Sequence, residues 1–176
     1  MTENPYIENI MNEIGRVLSL IDREMSSNTY GCADRTYWCW KFTDFPGSRF
    51  QEILYTLTWL YNYDSKHNSY YKNKVLLEYI DAGFNYWVKI QNNNGSFNEA
   101  YPNENSLAAT SFTLFYITEG YFIIKDELKS PTKEKLIISI NNAATWLCSN
   151  DETHGFLSNH LAATAAGLYN AFIIAN

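Results

Sequence analysis

The sequence predicts an all-α fold of helical hairpin repeats, and three observations lead there. Apolar residues recur at the spacing of one helix face along most of the chain, no segment keeps strand alternation between hairpin turns, and the stretch 87–114 returns as a shorter copy at 146–168.

Ile7, Ile10, Met11, Ile14, Val17, Leu18 and Ile21 step by three and one residues with Glu, Asn and Arg between them, which predicts a first helix over about 5–25. Residues 26–48 lose the period and hold Gly31, Pro46 and Gly47, so they read as a long loop. Phe50, Ile53, Leu54, Leu57, Leu60 and Tyr61 resume it as a second helix. After the polar run Asp64 to Asn73, Val75, Leu76, Tyr79, Ile80, Trp87 and Val88 mark a third helix, stopped by Asn92, Asn93, Asn94 and Gly95. A fourth is predicted over about 104–124, with Asn103, Asn105 or Ser106 as cap. Ser130-Pro131 starts a fifth, and Ser158 or Asn159 caps a sixth over about 160–175.

In the repeat, Trp87 matches Trp146, Gly95 and Phe97 match Gly155 and Phe156 to within one position, and Leu107-Ala-Ala-Thr110 matches Leu161-Ala-Ala-Thr164. The unit is an outer helix, a long loop and an inner helix rich in small residues. Ala108, Ala109, Ala162, Ala163, Ala165, Ala166 and Gly167 let inner helices approach closely. The expectation is one domain over residues 1–176, of about three such hairpins.

Composition narrows the function classes. With 46% hydrophobic and 18% charged residues the chain buries a core, and 13 basic against 19 acidic side chains speak against a nucleic-acid surface. The expectation is no nucleic-acid partner and no membrane span, since neither a basic and apolar leader nor a stretch near 20 apolar residues is read from the sequence. Cys32, Cys39 and Cys148 have neither zinc-ligand spacing nor an even count, so a reducing cytoplasm, no metal and no cofactor are expected. The 14 Tyr, 10 Phe and 5 Trp are many for this length, and Tyr and Trp suit a surface that meets a half-wet ligand.

The segment Gln91-Asn-Asn-Asn-Gly95-Ser-Phe97 is similar to the Gln-x-x-x-Gly-x-Trp/Phe repeat of squalene-cyclase and prenyltransferase-like proteins. Asn159-His160-Leu161 before an Ala-rich helix resembles the Asn-His helix start of heparinase and alginate-lyase-type polysaccharide lyases. Both belong to the α/α-toroid superfamily. The resemblance covers about residues 35–175 and implies part of an α/α toroid acting on or binding a carbohydrate, with β-elimination on an acidic glycan as the lyase chemistry. Neither Asp-x-Asp-Asp nor Asp-Asp-x-x-Asp is present, which lowers the cyclase alternative; a non-catalytic helical-repeat interaction module is the other. Three hairpins are about half of a six-hairpin ring, so a longer chain, an open array or a homo-oligomer is expected.

Loops after the first, third and fifth helices share one end of a hairpin array, and their contents nominate the site. Asp44, Glu99, Tyr101, Asn159 and His160 are the candidate catalytic residues. Arg35, Trp38, Trp40, Lys41 and Glu104 are the candidate substrate-binding residues. Sugar faces stack on aromatic rings while hydroxyls need acceptors and donors. For a lyase, Asn159 or Arg35 would neutralise the uronate carboxylate and His160 or Tyr101 would take the C5 proton. For hydrolysis, Asp44, Glu99 and Glu104 would supply a carboxylate pair. Asp151, Glu152 and His154 lie in the third of these loops.

Overall fold

The computed structural model describes residues 5–153 and 155–176. The elements are α1 (Pro5–Ser19), α2 (Arg35–Trp38), a 3-10 turn (Ser48–Glu52) running into α3 (Ile53–Asn62), α4 (Lys74–Lys89), α5 (Leu107–Ile124), α6 (Ser130–Cys148) and α7 (Ser158–Ala175). No strand occurs among the described residues, and the fold is all-α.

The first helix stops at Ser19, short of its apolar period. Asp22 leaves the helix to pair with the next loop, its N–H donating to the Cys32 carbonyl at 2.8 Å and its carbonyl accepting from the Gly31 N–H at 2.9 Å. Ile21 nevertheless stays buried, which is why the period extends beyond the helix. Ser106 caps α5 by accepting from the Ala109 N–H at 3.1 Å. At α7 the cap position is Leu157, and Ser158 and Asn159 are already helical.

The helices form two layers. In one, α5 lies between α3 and α7; in the other, α4 packs on α3 and α6, and α6 packs on α4, α5 and α7. Leu54, Leu57, Leu60, Ile80, Phe84, Trp87, Leu114, Ile117, Leu136 and Ile140 fill the space between them, with Trp87 stacked on Phe97 at 4.5 Å. On α7, Ala163, Gly167 and Ala171 are buried at four-residue spacing, and a Cβ on Gly167 would come within 3.3 Å of Leu114. These small residues are what allow α5 and α7 to approach. Asn170 secures that seam by donating to Thr118 Oγ1 at 3.1 Å and to Glu119 Oε1 at 2.8 Å.

Among the described residues α5 is long and apolar enough to cross a membrane, an exception to the expectation from sequence, and 61% of it is buried inside the fold. A helix covered by α3, α6 and α7 is apolar all round for that reason. Its buried threonines are satisfied locally: Thr110, Thr113 and Thr118 donate to carbonyls one turn back at 2.7–2.8 Å.

At the end opposite the nominated loops, Glu127 accepts from Tyr61 Oη and pairs with Lys72 Nζ at 2.5 Å. Burial opposes ionisation of Glu127, but the bonds from Lys72 and Tyr61 win and hold the carboxyl below its ordinary value of 4.5. Burial and the same carboxylate push the Tyr61 phenol up to about 12. A lowered carboxyl adds stability that is complete above the unfolded value and lost as pH falls through the folded one. Glu127→Gln is therefore expected to lower stability at pH 7 by about 1 kcal/mol or less, given its partial exposure, with the deficit vanishing in acid. Melting curves of the two proteins that stay equally separated at pH 7 and pH 3 would contradict this.

Candidate functional site

The loops after α1 and α4 are tied down by polar side chains, those of Asp34 and Gln51 buried and that of Gln91 half-buried. Asp34 accepts from the N–H groups of Thr36 at 3.0 Å and Gly47 at 2.9 Å, closing the loop after α1 around α2. Gln51 accepts from the Ala33 N–H and donates to the carbonyls of Gly31 at 3.1 Å and Gly83 at 3.0 Å, joining that loop to α3 and α4. Gln91 does the same one loop later, donating to Gly95 at 3.0 Å and to Ser139 of α6 at 2.9 Å. Ser48 donates to the Asn98 carbonyl and links the start of α3 to the loop after α4.

This framework carries a chain of charged and aromatic groups across the starts of α3, α5 and α7. Arg49 pairs with Glu52, its Nη1 lies 3.5 Å from Glu99 Oε1, and its guanidinium sits 4.2 Å from the centre of the Phe112 ring. Phe112 also meets the His160 ring edge-on at 5.8 Å, and His160 Nδ1 bonds Glu152 Oε2 at 2.5 Å. The Glu152 side chain is 4% exposed and that of His160 19%, so the pair is nearly withdrawn from water. An imidazole held at Nδ1 by a carboxylate has fixed orientation, with Nε2 as the nitrogen able to exchange a proton with a ligand.

Glu52 is half-buried, and desolvation raises its carboxyl above the ordinary 4.5 even though the Arg49 bond and charge pull the other way; the Glu99 charge adds to the rise. A carboxyl raised in the fold favours the protonated form, so its contribution to stability is lost as pH climbs through the folded value. Glu52→Gln is accordingly expected to leave the neutral-pH melting temperature unchanged or higher, and to flatten its pH dependence above pH 4.5. A lower melting temperature at pH 7 would mean that the Arg49 pair outweighs burial.

Of the residues nominated from sequence, Glu99 and His160 stand in this cluster. Glu104 shapes the loop beside it, its Oε2 accepting from the N–H groups of Glu99 at 2.7 Å and Ala100 at 2.8 Å. Tyr101 is 56% exposed nearby in sequence, and Asn159 lies exposed in the first turn of α7. The residues of the first loop gather elsewhere. Trp38 Nε1 donates to the Leu20 carbonyl at 2.7 Å, while Arg35 donates to the Ser19 carbonyl and lies 5.3 Å from the Trp40 ring. A shallow cleft of about 390 Å³ is lined there by Asp22, Arg23, Glu24, Arg35, Trp38 and Tyr79. Trp40 is 51% exposed, Lys41 lies 5.7 Å from the Tyr37 ring, and Asp44 is exposed. His154 lies outside the described residues.

Arg49, Glu52 and Phe112 were not nominated. Arg49 and Glu52 are spaced as an ordinary surface ion pair at a helix start, and Phe112 reads as part of an apolar period. The signal that marks them is Pro46-Gly47 just before, which places Arg49 where a loop enters a helix. Among the described residues no group of three or more His, Cys, Asp or Glu is arranged to hold a metal ion. Burial pushes the Cys32 thiol up to about 11, away from nucleophilic use.

Comparison with protein-family models, with curated proteins and with solved structures finds no match to this chain.

Proposed function

We propose that the chain is an incomplete α/α toroid whose loop end binds an acidic glycan and cleaves it by β-elimination. The observation that carries this reading is the Glu152–His160 pair, linked to Arg49 through their shared contact with the Phe112 ring near the starts of α3, α5 and α7. A two-layer array with α3, α5 and α7 side by side is what such a toroid segment requires. Tyr101, more than half exposed in the loop that holds Glu99, is available to stack on a sugar face.

In this reading Arg49 binds the uronate carboxylate and spreads its charge, which acidifies the C5 proton. His160 takes that proton at Nε2, while Glu152 orients the ring and stabilises the imidazolium formed. The electron pair of the C5–H bond becomes the C4–C5 double bond, the C4–O4 bond breaks, and O4 takes the proton back from the His160 imidazolium. The products are a new reducing end and an unsaturated uronate.

The test is incubation of the protein with a panel of uronate-containing oligosaccharides, following the absorbance of the unsaturated product and the release of reducing ends together. Elimination produces both, and hydrolysis produces reducing ends alone. Neither turnover nor binding anywhere on the panel would remove the proposal.

A further inference from the structure

The outward face of α7 is neutral, apolar and uncovered among the described residues. From Ser158 to Ala175 the helix has no Asp, Glu, Lys or Arg, and its one histidine, His160, points to the cluster described above. Leu161, Ala162, Ala165, Tyr169, Phe172 and Ile173 are all exposed and fall within an arc of about 120° at 3.6 residues per turn. Tyr169 is 65% exposed, Phe172 62% and Ile173 46%. Beside the start of this helix, Phe156 is 89% exposed, whereas Phe97 in the preceding loop is fully buried. Gly155 likewise has nothing within 4 Å, although Gly31 and Gly95 are seated on the backbone of α4 and α6.

We infer that this face is an interface between two copies of the chain, formed by antiparallel packing of α7 on α7 about a two-fold axis level with Gly167. Two properties of the face single out a second copy as occupant. With no net charge on the stripe, an isologous contact brings no like charges together. The stripe is also complementary to itself in size. In the register centred on residue 167, Ala162 lies level with the partner's Phe172, Ala165 with the partner's Tyr169, and Leu161 with the partner's Ile173. Small residues in the first half of the helix meet large ones in the second half at every pair but one, and that one matches two aliphatic side chains of equal size. The axis leaves His160 on the other side of α7, so the interface and the Arg49–His160 cluster do not compete.

The experiment is sedimentation equilibrium of the 20.4 kDa chain and its variants over a wide concentration range, with helicity checked by circular dichroism. The wild type is expected to reach twice its chain mass. Phe172→Glu, an exposed position in the single chain, is expected to weaken association by at least about tenfold while helicity is kept. Register is tested by exchange: Ala165→Tyr overfills the pair and Tyr169→Ala empties it, so each should weaken association, and the double variant A165Y/Y169A should restore it because the facing positions trade sizes. A wild type that stays monomeric at every concentration would overturn the inference. So would a dimer unaffected by F172E, or a double variant no better than its weaker parent.

Discussion

His160→Ala is expected to lower turnover of a cleaved acidic glycan by about 10²- to 10⁴-fold, the range for losing a positioned proton-transfer group. Melting should change by only a few degrees, because the ring lies at the first turn of α7, away from the core between the helix layers. Glu152→Gln separates orientation from structure. The amide keeps the size of the carboxylate and can still accept from Nδ1, so folding should be retained, yet it does not stabilise an imidazolium. Its activity should fall. Arg49→Lys should raise KM for an acidic oligosaccharide, since a lysine cannot form the fork that binds a carboxylate through two parallel bonds. The readings are initial rates, KM and thermal melts on the same preparations. If melting falls in proportion to activity in H160A and E152Q, the pair is a strut that joins the last loop to α7 and the proton-transfer role is lost.

Gly31→Ala and Gly95→Ala should each destabilise the fold by about 2 to 5 kcal/mol, from two causes that add. Both glycines have positive φ, 87° and 95°, where a Cβ costs about 1 to 2 kcal/mol. Their built Cβ atoms also land on main chain that cannot swing away, 2.2 Å from the Ala82 carbonyl oxygen and 2.4 Å from that of Asn142. Overpacking of this sort adds about 1 to 3 kcal/mol. For a chain of this length the sum corresponds to a fall in melting temperature of roughly 4–20 °C. Gly155→Ala isolates the first cause, because φ is 129° there but nothing lies within 4 Å, so its loss should be the smaller by at least about 1 kcal/mol. Three variants with equal melting temperatures would show that close approach to the next helix contributes nothing.

The same glycines show how far a sequence reads. That the chain turns at Gly31, Gly95 and Gly155 is visible in composition alone, since residues around them lose the helical period and Asn and Gly favour positive φ. The six main helices and the Ser106 cap are legible for the same reason: a helix closes its hydrogen bonds within four residues, so its cause lies in adjacent side chains. The overrun of the first helix past Ser19 marks the limit of that logic. Ile21 is apolar because a distant core buries it, and Asp22 ends the helix because Gly31 and Cys32 bind its backbone.

The candidate site lies on the other side of this limit. Sequence order is enough to put the loops after the first, third and fifth helices at one end and to pick out Glu99 and His160. It places Trp38, Trp40 and Asp44 in the same group only because they share a loop face, and it passes over Arg49, Glu52 and Phe112. Arg49, Glu99, Phe112 and Glu152 belong to four different segments, brought together by the side-by-side packing of α3, α5 and α7. That packing depends on which faces are small enough to meet, as Gly167 meets Leu114, and on buried bonds such as Gln51 to Gly83 and Asn170 to Thr118. Local periodicity says which residues turn inward on each helix. Only the contact of helices far apart in sequence says which of their side chains share a site.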